Sequence, residues 1–197
     1  MRSLTILIIR HAEKPDEDWP GPGLTDKGQE DTESLVIRGW QRAGAWTALF
    51  GAGLDGDNYP TPQAVYAATP GAHDKLNQGP SRRPYETVLP LAQRLKLPEP
   101  NTSFATGQEG ELVEELLALS DVALVAWEHK AIISDILPRL PVRNKSDLPT
   151  HWPDHRFDVV LRFDRAAGET DFVFSERCPR LMWRDSNQPL TSDPEND

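Results

Sequence analysis

Two short apolar runs stand out in the pattern of hydrophobic and polar positions along the chain. Residues 4–9 and 122–127 are almost continuously aliphatic, which is typical of strands that are covered on both faces of a parallel sheet. His11 follows the first run closely, and His129 follows the second. Because the carboxyl ends of parallel strands meet at one edge of a sheet, the pattern predicts that the two histidines share a site.

Other segments have the three-to-four-residue spacing of apolar positions that is typical of amphipathic helices. Thr25 is a candidate N-cap, so the sequence predicts that a helix starts near Asp26. Apolar positions become dense only from Leu35 to Phe50, which predicts that this helix is long or broken. The remaining predicted helices span residues 84–95, 109–120 and 131–137.

Three weaker strand patterns complete the prediction of the fold. One covers residues 64–68, and the other two, 157–163 and 172–174, flank a turn at Gly168 and predict a late hairpin. The alternation of strands and helices predicts an α/β fold with three layers, α/β/α, around a mostly parallel central sheet. With neither a repeat nor a second core, we expect one domain over residues 1–185 and a polar tail over 186–197.

Composition narrows the classes of function. The chain has 197 residues, 38% of them hydrophobic, and a formal net charge of −10, which argues against a general affinity for nucleic acid or an anionic membrane. Cys178 is the only cysteine, so an intramolecular disulfide and a cysteine metal cluster are both excluded. The first apolar run is too short for a signal segment, and we expect a cytoplasmic protein.

The charged residues beside the two histidines suit phosphate chemistry. Displacing phosphate from an ester needs a nucleophile, groups that neutralise the phosphoryl oxygens, and a proton donor for the leaving oxygen. A neutral His11 can be the nucleophile, and the planar guanidinium groups of Arg10 and Arg83 match phosphate oxygens. His129 adds a further donor when it is protonated. These residue types predict a phosphohistidine intermediate.

Four elements of the chain, in order, resemble the histidine phosphatase superfamily, which includes the phosphoglycerate mutases. Arg10-His11-Ala12-Glu13 is similar to its hallmark arginine–histidine motif. Residues 24–28, Leu-Thr-Asp-Lys-Gly, are similar to the start of its first helix, and residues 83–87, Arg-Pro-Tyr-Glu-Thr, resemble its second-arginine motif. The fourth element is His129 after a buried strand, so the resemblance extends over residues 4–137.

The resemblance implies a phosphoglycerate mutase-like fold, phosphorylation of His11, and a phosphate pocket completed by Arg10, Arg83 and His129. It implies neither a metal nor a cofactor. We therefore expect a metal-independent phosphatase that acts on a phosphorylated small molecule. A mutase-type phosphotransferase and a non-catalytic module that binds a phosphorylated ligand remain alternatives, and the oligomeric state is left open.

The general acid is left open as well. In many members of the superfamily it is a carboxylate between the second arginine and the second histidine, and the window contains Glu109, Glu111, Glu114 and Glu115. Glu13 is a further candidate, although its position near Arg10 favours a structural role. The segment Trp127-Glu128-His129-Lys130 departs from the common pattern around the second histidine, which leaves the substrate open.

Several other charged residues are assigned ordinary roles. Arg83 is preferred to Arg82 as the second phosphate ligand because it has the motif's spacing to the threonine. His73 lies in a polar loop and is left out of the site. His151 and His155 have a proline between them and lack an acidic partner at ligand spacing, so we interpret them as surface residues.

Overall fold

The computed structural model describes residues 2–53, 56–71 and 81–190, and His73 lies outside these ranges. Five strands form one sheet in the order β2-β3-β1-β4-β5. Strands β1, β2 and β3 are parallel, β4 is antiparallel to β1, and β5 is antiparallel to β4. All the strands except β4 therefore point the same way. Their bounds are β1 Leu4–Arg10, β2 Ala64–Ala67, β3 Asp121–Trp127, β4 Val160–Arg165 and β5 Val173–Arg177.

Within the described ranges, three regular helices and one irregular helical segment cover the sheet. The regular helices are α1 Ile37–Gly51, α2 Arg83–Arg94 and α3 Glu109–Ala118. The irregular segment, residues 129–139, begins as an α-helix at His129–Ala131, continues as one π-helical stretch over Ile132–Ile136 and ends in a 3₁₀ turn at Leu137–Arg139. Two isolated 3₁₀ turns lie at Gly56–Asn58 and Lys145–Asp147.

The alternating side chains of the central strands divide the core between the two faces of the sheet. Leu7 and Leu124 are fully buried on the face covered by α1 and α2, where Trp46 is also buried. Ile8 and Val125 are fully buried on the other face, against α3 and the segment 129–139. The sheet thus lies between two helical layers, which confirms the predicted α/β fold and its three layers.

The predicted start of the first helix near Asp26 is wrong. The Thr25 hydroxyl accepts hydrogen bonds from the amides of Lys27 and Gln29, at 3.3 and 3.2 Å, and so closes a turn instead of capping a helix. The helix begins at Ile37. Residues 26–34 have no apolar stripe to bury, and a short helix without a packed face is marginal in water.

The C-terminal region forms the predicted hairpin, in which β4 and β5 are antiparallel. Residues 186–190, which the sequence assigns to the tail, contact the domain. The Ser186 amide donates to the Asp158 carboxylate at 2.6 Å, and Leu190 is fully buried among the core residues on the α3 side. The domain boundary at residue 185 stays a prediction.

Among the described residues, no helix has both the length and the apolar character needed to cross a membrane.

A close approach between α1 and the segment after β1 depends on a glycine. The Glu13 carbonyl accepts a hydrogen bond from the Val36 amide at 3.2 Å, just before α1 begins. A Cβ atom added at Gly39 would lie 2.5 Å from that carbonyl oxygen, whereas one added at Gly44 in the same helix meets nothing within 4 Å. Only Gly39 is therefore required for helix α1 to contact the backbone of the nucleophile segment.

We predict opposite effects for alanine at these two glycines. Gly39→Ala forces backbone atoms apart and should lower the free energy of unfolding by about 1–3 kcal/mol. Gly44→Ala relieves the entropic cost of glycine in a helix and should raise it by up to about 1 kcal/mol. Urea unfolding of both variants measures the difference. Equal effects would contradict the close approach at Gly39.

Candidate active site

The end of β1 places His11 beside β3. Arg10 is paired with Trp127 in the parallel register, and the His11 amide donates to the Trp127 carbonyl at 3.0 Å. His129 lies two residues beyond Trp127, and both histidines are only 5% exposed. The two apolar strands therefore place both histidines at one edge of the sheet, as their positions in the sequence predict.

The hydrogen bonding of His11 determines which ring nitrogen can attack. Nδ1 lies 2.8 Å from the Ala12 carbonyl oxygen. A carbonyl only accepts hydrogen bonds, so Nδ1 carries the proton and Nε2 carries the lone pair. Burial lowers the pKa of His11 well below its ordinary value of 6.5, and the positive charge of Arg10 lowers it further. His11 is thus a neutral imidazole whose Nε2 is available as a nucleophile.

Arg10 is fully buried, and only one end of its guanidinium group is paired. Nη1 donates to the carbonyls of Pro153, Asp154 and Arg156 at 3.1, 2.7 and 3.2 Å. The guanidinium carbon lies 4.0 Å from the centre of the Phe157 ring. Nε and Nη2 are buried and have no hydrogen-bond partner among the described residues. Unpaired buried donors are costly, and two on one guanidinium group indicate a site for an anion.

The positive charge of Arg10 also supports an anion site, although the guanidinium group is buried. Burial lowers its pKa from 12.5 to about 10, while the carboxylate of Asp154 acts in the opposite direction. The guanidinium therefore stays protonated at neutral pH.

Arg83 is the first residue of α2 and is the second partly unpaired arginine. Its Nη2 donates to the Thr32 carbonyl at 2.7 Å and lies 3.6 Å from a carboxylate oxygen of Glu33. Its Nε is buried and without a partner among the described residues. The positive charges of Arg83 and His129 both contribute to lowering the pKa of His11, after burial and Arg10. Arg83 thus acts electrostatically on the same imidazole as Arg10.

Thr87 connects α2 to the nucleophile segment. Its hydroxyl accepts a hydrogen bond from the Ala12 amide at 2.8 Å and donates one to the Arg83 carbonyl at 2.7 Å. Thr87 is fully buried. This explains the chemical value of a threonine four residues after Arg83, because the hydroxyl joins the residue after His11 to the turn of helix that bears the arginine.

Carboxylate oxygens lie at both ring nitrogens of His129. Asp154 Oδ1 is 2.8 Å from Nε2, and Glu128 Oε1 is 2.9 Å from Nδ1 without forming a hydrogen bond to it. Burial alone would raise the pKa of Glu128, but interactions with His129 and with backbone amides, including that of Ala131 at 2.8 Å, hold it at about 2. Glu128 is therefore ionised and places a negative charge beside Nδ1 of His129.

Three of the five candidate general acids, Glu13, Glu109 and Glu111, are not bonded to the arginines and histidines described above. Glu13 is fully buried and accepts hydrogen bonds from Arg38 and Arg42. Glu109 accepts one from the Trp127 indole at 2.9 Å and others from the Gly107 amide. Glu111 is exposed on α3. Among the described residues, no hydrogen bond or ion pair joins these carboxylates to Arg10, His11, Arg83 or His129, and their assignment as acids stays a prediction.

Sequence reasoning missed two residues of this site, Asp154 and Phe157. Both lie before β4, in residues that are irregular in the structure although the sequence predicts a strand from residue 157. The segment contacts the site through the Arg10 side chain, which binds three of its carbonyls, and through Asp154, which contacts His129.

A cavity of about 250 Å³ is lined by Glu13 and by Phe157, which also contacts Arg10, but its lining does not include Arg10, His11, Arg83 or His129. Arg42, on its wall, pairs with Glu13 and Asp185, both at 2.8 Å. The remaining lining residues include three further arginines, Arg38, Arg156 and Arg184. The described part of the chain contains no group of three or more histidine, cysteine or acidic side chains placed to hold a metal ion.

Comparisons with known proteins give distant likenesses only. No family model matches the chain, and no curated protein does. One solved structure, titled mycobacterial hydrolase 2, is 17% identical with a TM-score of 0.48, over 96% of this chain and 94% of its own. Another, mycobacterial glucosyl-3-phosphoglycerate phosphatase, is 17% identical with a TM-score of 0.47, over 89% of this chain and 97% of its own. At these values, neither likeness carries an argument about activity.

We predict that His11 stays neutral, with its proton on Nδ1, as the pH falls through 6.5. Its folded-state pKa lies below the ordinary value, so the neutral form should persist to lower pH than in an unfolded chain. Nitrogen-15 spectra of the imidazole, recorded from pH 8 to pH 5, measure its protonation. A midpoint at or above 6.5 would contradict the effect of burial.

We also predict that the Thr87 hydroxyl protects the Ala12 amide. Thr87→Val keeps the shape of the side chain but leaves that buried amide unpaired, which should cost about 1–3 kcal/mol of stability. Amide hydrogen exchange at Ala12 should accelerate in Thr87→Val and stay slow in Thr87→Ser, which keeps the hydroxyl. Unchanged protection in the valine variant would show that the hydrogen bond is unimportant.

Proposed function

We propose that this chain is a phosphatase of the histidine phosphatase superfamily, which hydrolyses phosphomonoesters through a phosphohistidine on His11. The observation that carries the proposal is the unpaired, buried edge of Arg10 next to a neutral His11. An anion site beside a nucleophilic nitrogen is what phosphoryl transfer requires. The four motifs that resemble the superfamily support the same assignment.

In the first step the phosphate binds between the positive groups of the site. Arg10 Nε and Nη2 would donate hydrogen bonds to the phosphate oxygens. Arg83 and His129 would bind the same phosphate from other directions. Nε2 of His11 then attacks phosphorus, so that the N–P bond forms as the bond to the ester oxygen breaks. The leaving oxygen takes a proton and departs as an alcohol. The fixed positive charges neutralise the oxygens of the transferring phosphoryl group.

In the second step a water molecule replaces the alcohol and attacks the phosphohistidine. The new P–O bond forms as the N–P bond breaks, and the water loses a proton. Inorganic phosphate is released, and Nε2 recovers its lone pair. Because Nδ1 of His11 donates to Ala12, the ring keeps one orientation through both steps.

Further properties belong to the same proposal. The substrate would be a phosphorylated small molecule. The reaction would need no metal. A cytoplasmic location is supported by the presence of a single cysteine, Cys178, because disulfide pairs are rare in a reducing compartment.

We predict that His11→Ala abolishes turnover. Phosphate release should be measured with a chelator present, on sugar phosphates, nucleotides, phosphoglycerates and 4-nitrophenyl phosphate. Removing a covalent nucleophile typically costs a large part of the catalysis, and we expect a loss of at least about 10³-fold. His151→Ala, which removes an exposed histidine, is the matched control and should keep wild-type activity.

The outcomes discriminate among the mechanisms. Labelling of the wild-type protein by a phosphorus-32 substrate, lost in His11→Ala, would support the phosphohistidine. Wild-type activity in His11→Ala would contradict the mechanism. Bound phosphate ligands without turnover in the wild type would point instead to a non-catalytic binding module.

A further inference from the structure

We propose that Asp154 donates the proton to the leaving oxygen. The proposal rests on the function proposed above and names the acid that the sequence left open. It stands on one juxtaposition, in which a carboxylate at the mouth of the site contacts His129 while its own backbone is bound by Arg10.

Asp154 is held in place by its main chain while its side chain remains accessible. Its carbonyl accepts a hydrogen bond of 2.7 Å from Arg10, and the flanking carbonyls of Pro153 and Arg156 bind the same guanidinium nitrogen. Its side chain is 81% exposed although one oxygen lies 2.8 Å from His129 Nε2. The carboxyl group is thus anchored at the rim of the pocket and can turn without breaking its anchor.

The geometry of phosphoryl transfer places the leaving oxygen on the same side. The attacking and leaving atoms lie roughly in line, on opposite sides of phosphorus. The ring of His11 is almost fully buried, so it attacks phosphorus from the buried side of the site. The leaving group must therefore face the opening, where the side chain of Asp154 is exposed.

Other carboxylates near the site are poorly suited to the role. Both oxygens of Glu13 accept hydrogen bonds from Arg42, and Glu109 is bound by Trp127 and a backbone amide. Glu128 accepts a hydrogen bond from the Ala131 amide at 2.8 Å and lies 2.9 Å from Nδ1 of His129, the ring nitrogen that Asp154 does not contact. Glu33, 3.6 Å from Arg83, is a competitor, and it serves below as a test.

Asp154 gains a proton before it donates one. The bound phosphate takes the place of the Asp154 oxygen at His129 Nε2, and the released carboxylate takes up a proton from solvent as it turns towards the ester oxygen. As the N–P bond forms on His11 and the P–O bond breaks, the Asp154 O–H proton moves to the leaving oxygen. The carboxylate then accepts a proton from the attacking water, and the protonated form is restored.

Binding of a phosphate changes the charges around Asp154 in the direction that favours its protonated form. Its slight burial raises its pKa, but His129 and Arg10 outweigh that effect and hold the pKa below the ordinary value in the free site. A phosphate dianion neutralises both positive groups, so it favours the protonated carboxyl group when the substrate is present.

The test compares two esters that differ in their need for an acid. Benzyl phosphate releases an alkoxide and needs protonation, whereas 4-nitrophenyl phosphate releases a stable phenolate. The first turnover, measured by rapid quench as phosphorus-32 incorporated into protein, isolates the transfer to His11. In Asp154→Asn we expect this rate to fall by about 10²–10⁴ for benzyl phosphate, and by less than about 10-fold for 4-nitrophenyl phosphate.

Control variants separate a proton donor from a structural residue. Asp154→Glu keeps the acid and should recover part of the benzyl phosphate rate, while Glu169→Gln, at the β4–β5 turn, should match wild type on both esters. Equal losses on the two esters, or no loss, would overturn the assignment. The same leaving-group dependence in Glu33→Gln but not in Asp154→Asn would move the role to Glu33 and also overturn it.

Failure of the underlying function would look different. If the wild-type protein acquires no label from 4-nitrophenyl phosphate, or if His11→Ala is labelled equally, the phosphohistidine mechanism fails and the role of Asp154 fails with it. If His11 is labelled and Asp154→Asn loses activity equally on both esters, only the assignment of Asp154 fails.

Discussion

The contact between the Arg10 guanidinium and the backbone of residues 153–156 is the interaction on which the site depends. It joins the end of the first strand to a segment about 145 residues later, and it binds one side of the guanidinium to three carbonyls. The other side is left buried and unpaired. A buried charge with unsatisfied donors is costly in the free protein, and an anion that binds there removes that cost.

The segment after β1 is restrained from several directions, which keeps His11 in one geometry. Its backbone is bound by Thr87 on α2 and by Val36 before α1. The side chain of Glu13 is bound by Arg42, which also binds Asp185 in the C-terminal region. Removing one member of such a buried pair leaves an uncompensated charge, so these contacts hold the nucleophile segment in place.

The many acidic residues of the chain illustrate why residue type alone does not assign a role. Glu13 and Glu109 are bound by buried donors, and Glu128 accepts a hydrogen bond from the Ala131 amide. Asp154 differs because its side chain is exposed at the pocket while its main chain is fixed. The environment of each carboxylate, more than its distance in sequence from the histidines, determines its capacity to transfer a proton.

The sequence by itself determined the sheet and most helices, and it predicts the site residues Arg10, His11, Arg83 and His129. Apolar runs and short motifs are local signals, and parallel strands necessarily place their carboxyl ends together. A local signal also misled, since Thr25 closes a turn and the first helix begins only at Ile37, just after the buried Leu35 and Val36. Only the tertiary structure brought Asp154 and Phe157 to Arg10, because that contact joins the end of β1 to a distant irregular segment through backbone carbonyls, which every residue has and no sequence pattern marks.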